Sequence, residues 1–334
     1  MSWLLPFTQG LCLLEGGAGV LLNLYLFYLV VISKKSSTSD PVYKIAISFF
    51  SVHGFSLCAL IAIFNYGHLF REGTFVAAAL SPLAPYVPMP LNRMLFRILL
   101  VLLAMMWTLI PATSTLQLIT LSHRQHWSKR QRLFVSFLFP FLCGIMTTST
   151  VEDFMPSQAF EQTMLRISQE FYQVNSSLIV FGGTMRYSEE NYDRTLTYFA
   201  VFYAIIPYSF TYAALGILIY QIQKKLRIPG IAASERTLKM QRAFFAMQLL
   251  QSVLPLAILA TPFTVFVYCV FTQTDLPLPI ALCFTSFLWL CPAVQALVQL
   301  RYIRQAIKAR SMEATTVTVS VIREPFSRTH SRTH

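Results

Sequence analysis

The chain has 334 residues, of which 55% are hydrophobic and only 12% are charged, with a mean hydropathy of +0.56 and a formal net charge of +12 at pH 7. Soluble domains carry about 25% charged residues, so this composition excludes a protein whose whole surface faces water. In such a chain the position of the positive charge matters more than its sum, and the charge does not indicate nucleic-acid binding.

Seven stretches contain the roughly 20 mainly apolar residues that a helix needs to cross a lipid bilayer. They lie at residues 10–32, 43–64, 95–121, 133–151, 196–220, 243–271 and 280–300. The sequence thus predicts an all-α, polytopic membrane protein whose seven transmembrane helices form one bundle. We expect the bundle to occupy residues 1–310, followed by a disordered cytoplasmic tail at residues 311–334, where apolar periodicity is missing.

Two connections between these stretches carry further signals. Residues 74–90 are apolar but contain four prolines, and because proline breaks helices we expect an outer loop on the membrane surface. Residues 152–195 form a long outer connection with the sequon Asn175-Ser176-Ser177, so Asn175 is a predicted glycosylation site. Because the first ten residues carry no Lys or Arg, the first span is expected to act as an uncleaved signal anchor.

The orientation follows from the distribution of basic residues. Of the 26 Lys and Arg residues, 20 lie on the side of the C-terminus and 6 lie on the opposite side. Connections rich in Lys and Arg stay in the cytoplasm. The C-terminus is therefore predicted to be cytoplasmic and the N-terminus extracellular.

Ionisable residues within the spans are few. Glu15 and Arg97 lie near outer helix ends, where we expect their charged groups to reach water by snorkelling. His53 lies near the middle of the second span, and we expect it to be packed and hydrogen-bonded, with ligand contact or proton sensing as the alternative. The sequence contains no HExxH motif, no glycine-rich phosphate loop and no His/Cys cluster with metal-ligand spacing. It therefore predicts neither an enzyme nor a cofactor or metal site.

Large, adaptable side chains are concentrated in the third, fifth, sixth and seventh spans. Small-molecule pockets are mainly apolar and aromatic, although packing or lipid contact is the alternative for each of these residues. Tyr212, Phe266 and Trp289 follow this pattern. The residues that we predict to line a ligand pocket are Met105, Met106, Trp107, Tyr203, Tyr208, Phe263 and Tyr268.

The last third of the chain carries a more specific pattern. Residues 234–262 read SERTLKMQRAFFAMQLLQSVLPLAILATP, with the spacing Gln-x9-Gln-x3-Pro-x6-Pro from Gln241 to Pro262. In the seventh span Pro292, Ala293 and Leu297 fit a Pro-Ala-x-Asp-Pro-Leu pattern. With these features the sequence resembles the nematode seven-transmembrane serpentine chemoreceptors of the Str superfamily.

The resemblance implies a GPCR-like chemosensory receptor of the plasma membrane. It would bind a small external molecule in the outer half of the bundle and activate a heterotrimeric G protein. Gln295 and Ala296 depart from the family pattern by replacing its Asp-Pro pair. The alternatives are a multi-span channel or transporter and a structural membrane protein without a ligand. The basic residues that would face the G protein are Arg124, Lys224, Lys225, Arg236, Lys239, Arg301 and Arg304.

Overall fold

The structure, a computed structural model, describes residues 3–33, 41–122, 127–150, 155, 158–174, 178–184, 198–227 and 235–323. Within these ranges the description leaves out the side chains of residues 41–43, 149–150, 158–159, 184, 198–208, 235–241, 255, 259–260, 262–263 and 305–323.

Seven long helices in the described residues coincide with the seven predicted spans. Five of these seven helices are long and apolar enough to cross a membrane. The described residues contain one further α-helix, α5 (Gln158–Tyr172), which is shorter and amphipathic. The predicted helical bundle is therefore confirmed. The long helices are α1 (Leu4–Phe27, continued by a π-helical turn at Tyr28–Ile32), α2 (Pro41–Phe64), α3 (Met89–Leu121), α4 (Lys129–Thr150), α6 (Tyr198–Arg227), α7 (Glu235–Thr272) and α8 (Leu278–Arg323).

Helix α3 is at the centre of the bundle, since it packs against α2, α4, α6 and α7. Helix α1 packs against α2 and α8, and α7 packs against α8, so the helices form a closed arrangement. Glycine allows the close approach of α1 to α2: a Cβ atom at Gly16 would lie only 2.7 Å from the backbone nitrogen of Ala62. A larger residue at position 16 would push the two helices apart.

The bundle has two chemically different ends. At one end the connections contain three β-strands, and we call it the sheet end. At the other end α3 and α6 finish and α4 begins, and exposed basic side chains follow one another there; we call it the basic end. The exposed basic side chains of the basic end include Lys129, Arg130, Lys224, Arg227, Arg301 and Arg304.

The strands β1 (Tyr66–Arg71), β2 (Thr74–Ala79) and β3 (Ile179–Thr184) form an antiparallel sheet in the order β1-β2-β3. A two-residue turn joins β1 to β2, and both its residues have positive φ angles, 53° at Glu72 and 74° at Gly73. This conformation is the type I′ turn that matches the twist of a hairpin. In β3, Gly182 has a φ angle of +137°, and a Cβ atom there would overlap the carbonyl oxygen of Phe75.

The sheet is the middle layer of a three-layer cap. One face, with Leu69, Val76 and Val180, packs against the apolar face of α5. The other face, with Tyr66 and Phe181, packs against the bundle. Alternate residues point to opposite faces of a strand, and here both faces are covered. The amide nitrogen of Leu276 also donates a 2.8 Å hydrogen bond to the carbonyl oxygen of Phe70, which ties the α7–α8 connection to β1.

Five charged side chains link the outer surface of this cap. The guanidinium group of Arg166 on α5 lies 2.8 Å from the carboxylate of Glu72 in the hairpin turn and 3.1 Å from that of Glu170. The Nε atom of Arg71 lies 3.7 Å from the carboxylate of Asp275 in the α7–α8 connection. The network therefore joins the hairpin, α5 and the α7–α8 connection.

The connections differ from the sequence predictions in two places. Residues 74–90, predicted to be an outer loop on the membrane surface, instead form β2, a short 3-10 helix at Ala84–Tyr86 and the start of α3. The prediction was wrong because an apolar stretch can also be a strand that is covered on both faces. Helix α8 continues past residue 310 to Arg323, where the sequence predicts a disordered tail. An established helix adds one hydrogen bond per residue as it lengthens. Residues 324–334 lie outside the described part, and the division at residue 310 stays a prediction.

Candidate functional site

A cluster of aromatic rings fills the space between the sheet and the bundle. Neighbouring rings lie 4.1 to 6.2 Å apart between centroids, and Phe96 of α3 stacks on Phe181 of β3 at 4.1 Å. Rings from β1, β2, β3, α3, α7 and α8 meet here. We call this group the cap cluster: Tyr66, His68, Phe75, Phe96, Phe181, Phe266, Phe284 and Trp289.

Polar groups in the cap cluster fix the sheet on α8. The indole nitrogen of Trp289 donates a 2.8 Å hydrogen bond to the carbonyl oxygen of Tyr66. The backbone N–H of His68 donates a 3.1 Å hydrogen bond to the hydroxyl oxygen of Thr285, which also lies 3.5 Å from the Nδ1 atom of the same histidine. The hydroxyl group of Tyr66 is buried and has no hydrogen-bond partner among the described residues.

Burial sets the charge state of these strand residues. It lowers the pKa of His68 from 6.5 to about 3, because a charged imidazolium in this apolar surrounding would lose its hydration. It raises the pKa of the Tyr66 phenol for the same reason. Both side chains are therefore neutral near pH 7, and the cap cluster presents hydrogen-bonding groups without a formal charge.

Glu15 lies on α1 and faces α8. It is only 7% exposed, and the hydroxyl group of Ser286 donates a hydrogen bond to its Oε1 atom. The predicted snorkelling of Glu15 to water is wrong, because the side chain turns towards α8 instead of the surface. Its Oε2 atom has no partner among the described residues. Cys12, three residues before Glu15, packs in the same core cluster as Tyr66 and Trp289.

His53 is packed and hydrogen-bonded, as predicted. It is 7% exposed, and its Nε2 atom lies 2.8 Å from the carbonyl oxygen of Leu102 on α3. An N–H group at Nε2 donates this bond, which joins α2 to α3 near their middle.

The predicted pocket residues lie in different surroundings. Met106 is 1% exposed and Trp107 is partly buried, and both belong to the core that contains the cap cluster. Met105 lies against α4, since a Cβ atom at Gly144 would be 3.6 Å from its Cγ atom. Tyr268 is 63% exposed and therefore lies on the surface of α7, apart from the other two. The side chains of Tyr203, Tyr208 and Phe263 lie outside the described part of the structure.

The residues predicted to face a G protein are described only in part. Lys224 is exposed and Lys225 is partly buried at the end of α6. Arg301 and Arg304 are exposed on α8, and the guanidinium group of Arg304 lies over the ring of Tyr25 at 5.3 Å. Arg124 and the side chains of Arg236 and Lys239 lie outside the described residues, and so does the predicted glycosylation site Asn175.

The strand residues of the cap cluster were missed by the sequence analysis. Tyr66, His68, Phe75 and Phe181 lie in connections between spans, whereas the predicted pocket was sought only within spans. One signal was available in the sequence. The pair Glu72-Gly73 separates two short apolar runs by two residues, which is a hairpin pattern.

Comparison with known families identifies the chain as a whole. The family model for the serpentine-type 7TM GPCR chemoreceptor Str matches residues 13–307, and no curated protein matches the chain. The match extends from within α1 to within α8 and therefore covers all or part of every long helix of the bundle. This family consists of receptors rather than enzymes. The chain is a multi-pass membrane protein that belongs to the serpentine-type seven-transmembrane GPCR chemoreceptor family Str.

Proposed function

We propose that this protein is a plasma-membrane chemoreceptor that binds a small external molecule at the cap cluster and signals to a heterotrimeric G protein at its basic end. In this orientation the sheet end and the N-terminus face the outside, and the C-terminus lies in the cytoplasm. The proposal is supported by family membership together with one structural observation. That observation is the cap cluster, a buried aromatic group at one end of the bundle that carries an unpartnered hydroxyl group.

The chemistry of the cap cluster suggests the class of ligand. Its rings offer apolar and stacking contacts, while the Tyr66 hydroxyl offers one free hydrogen bond. Neither His68 nor Tyr66 carries a charge near neutral pH. A small, mainly apolar molecule with a single hydrogen-bonding group fits these features best. Met106 and Trp107 on α3 are retained as pocket residues below the cluster, and Tyr268 is left out because it is exposed.

The basic end is the proposed G-protein surface. Lys224, Arg301 and Arg304 expose their charges there. Exposed basic residues also attract anionic lipids of the inner leaflet, so charge alone does not separate the two roles. The two roles can be distinguished by reversing a charge and measuring signalling and surface expression separately. We expect Arg124→Glu or Lys239→Glu to abolish ligand-driven signalling while surface expression persists, and normal signalling by these variants would remove the assignment.

The ligand site can be tested by removing one hydroxyl group at a time. Cells that express the receptor are exposed to a panel of volatile and water-soluble cues, and a second messenger is recorded. Tyr66→Phe removes the unpartnered buried hydroxyl, and Tyr268→Phe removes the same group from an exposed position. A hydrogen bond between uncharged groups contributes about 0.5–1.5 kcal/mol, so we expect Tyr66→Phe to raise the half-maximal concentration of a hydrogen-bonding cue by about two- to tenfold. The control variant should respond like the unmodified receptor.

Two results would contradict the proposal. If both tyrosine variants respond alike to every active cue, the ligand does not bind at the cap cluster. If the cues evoke an ionic current in cells that lack G-protein function, the protein is a channel rather than a G-protein-coupled receptor.

A further inference from the structure

A second group of buried polar side chains lies in the half of the bundle nearer the basic end. Its residues lie on α3, α7 and α8, which also contribute residues to the cap cluster, but no residue belongs to both groups. Every member is at most 8% exposed. We call this group the amide layer: Ser114 and Gln117 of α3, Gln248, Gln251 and Ser252 of α7, and Gln295 and Gln299 of α8.

Neighbouring contacts place these residues within about one helical turn of one another along the bundle. Phe245 of α7 packs against the same apolar cluster as Leu118, a cluster that contains Leu121 of α3. Gln248 lies about one helical turn beyond Phe245, towards the sheet end, and is therefore level with positions 114–117 of α3. The ring of Phe244 lies 5.7 Å from that of Tyr302, which in the same way places Gln248 level with positions 298–299 of α8.

One direct contact crosses the layer. The side-chain amide of Gln251 donates a 3.5 Å hydrogen bond to the backbone carbonyl oxygen of Gln295. Gln248 and Gln251 are three residues apart on α7, and Gln295 and Gln299 are four residues apart on α8, so each pair lies on one face of its helix. The two pairs therefore meet where α7 packs against α8.

Several polar atoms of the layer lack a protein partner. In the described part of the chain, neither the Nε2 nor the Oε1 atom of Gln248 makes a hydrogen bond, and the same holds for Nε2 of Gln295, Oε1 of Gln299 and Oγ of Ser114. Buried polar groups in proteins almost always have a hydrogen-bond partner. In a bilayer the surrounding hydrocarbon offers none, so five unpartnered atoms within about one helical turn of the bundle require a ligand.

The kinds of atom decide which ligand fits. The five atoms comprise two amide nitrogens that donate, two amide oxygens that accept and one hydroxyl group that does either. All are uncharged, and the described residues contain no group of three or more His, Cys, Asp or Glu side chains that could hold a metal ion. A small neutral molecule that both donates and accepts matches this set, and water is the smallest such molecule.

We propose that the amide layer is an internal water-binding site at the crossing of α3, α7 and α8. Ordered water bridges Gln248 to Gln299, Gln295 and Ser114 and completes their hydrogen bonds. Water-mediated bonds are nearly as favourable as direct ones and change partners more readily than bonds between side chains fixed on their helices. The site therefore also eases a movement of α7 against α3 and α8, a consequence that rests on the proposed function.

The site can be tested on the purified receptor without ligand or G protein. Brief X-ray exposure of a sample in ¹⁸O-labelled water produces hydroxyl radicals from bound water, and mass spectrometry locates the oxidised side chains. Met247 is the reporter, because it is buried at 6% exposure and lies one helical turn from Gln251 on the same face of α7. We expect ¹⁸O oxidation of Met247 in the unmodified receptor and at least a threefold loss in Gln248→Leu. The control Gln223→Leu makes the same change at an exposed position of α6 and should leave Met247 oxidation unchanged.

The melting temperature gives a second, independent result. If water completes the hydrogen bonds of Gln248, the Gln248→Leu and Gln299→Leu variants lose those bonds and melt several degrees lower than the unmodified receptor. An equal or higher melting temperature in both variants would show that the amides are unpaired, and would overturn the proposal. An unoxidised Met247 in the unmodified receptor would overturn it as well. Neither measurement depends on signalling, so the proposed function can fail while the water site holds.

Discussion

His68 illustrates how burial selects the state of a single residue. It sits on the bundle face of β1, with aromatic rings of β2 and α8 around it and Thr285 as its hydrogen-bonding neighbour. In this position only the neutral imidazole is compatible with the apolar surroundings. Unfolding of the cap is therefore coupled to proton uptake at this one side chain.

This coupling predicts a stability that falls in acid. Above pH 6.5 the imidazole is neutral in both the folded and the unfolded chain, so His68 adds no pH dependence. Below pH 6.5 the unfolded chain takes up a proton that the folded chain excludes until about pH 3. The free energy of unfolding then falls by about 1.4 kcal/mol per pH unit. We expect the melting temperature of the purified receptor to drop between pH 7 and pH 5, and to drop less in His68→Gln.

The comparison of slopes is the decisive control for this prediction. His53 is also buried, but it is present in both proteins, so only His68 distinguishes their pH profiles. Equal slopes for the unmodified receptor and His68→Gln would show that the proton uptake belongs to another group.

At the scale of single residues, the sequence supports some assignments better than others. His53 could be predicted as a packed residue because an ionisable group in mid-bilayer needs a fixed partner, and the carbonyl oxygen of Leu102 supplies it. Glu15 could not, because its closeness to a helix end suggested water, and only the packing of α1 against α8 reveals Ser286. The position of Tyr268 on the helix surface likewise depends on how α7 is rotated, which single-sequence periodicity does not fix in an all-apolar helix.

At the scale of elements, the helices were predictable and the strands were not. Each span has a hydrocarbon-length apolar run that nothing else explains. The strands lack the alternation that identifies a half-buried strand, because β1 and β2 are covered by the bundle on one face and by α5 on the other. The turn at Glu72-Gly73 is the local signal that remains, and β3 joins the sheet from far along the chain.

The attachment of β3 depends on one glycine. At Gly182 a side chain would both adopt a strained φ angle of +137° and overlap the backbone of Phe75. Backbone strain of this kind alone costs about 1–3 kcal/mol, and the overlap adds to it. We expect Gly182→Ala to lower the melting temperature and to expose the backbone amides of β2 to hydrogen exchange. Gly10→Ala is the matched control, because a Cβ atom there meets no atom within 4 Å. Equal melting temperatures for the two variants would show that β3 does not pair with β2 in this register.

At the scale of the whole molecule, charge distinguishes the two ends of the bundle. The basic end concentrates exposed Lys and Arg, whereas the sheet end carries Arg71 and Arg166 in a network with Glu72, Glu170 and Asp275. Among the described residues, the basic end thus carries the larger excess of positive charge. During membrane insertion, connections rich in Lys and Arg remain in the cytoplasm. The asymmetry therefore supports the proposed direction of signalling, from the sheet end outside to the basic end inside.

The orientation can be tested with single cysteines and a membrane-impermeant thiol reagent on intact cells. Glu72 in the hairpin turn and Gln223 near the end of α6 are both exposed and lie at opposite ends of the bundle. The excess of basic residues at the α6 end predicts that this end remains in the cytoplasm. We therefore expect Glu72→Cys to be labelled in intact cells and Gln223→Cys to be labelled only after permeabilisation. The unmodified receptor measures the background, which matters because Cys283 is exposed while the other five cysteines are buried. Labelling in the reverse pattern would place the sheet end in the cytoplasm, where an external molecule could not reach the cap cluster directly.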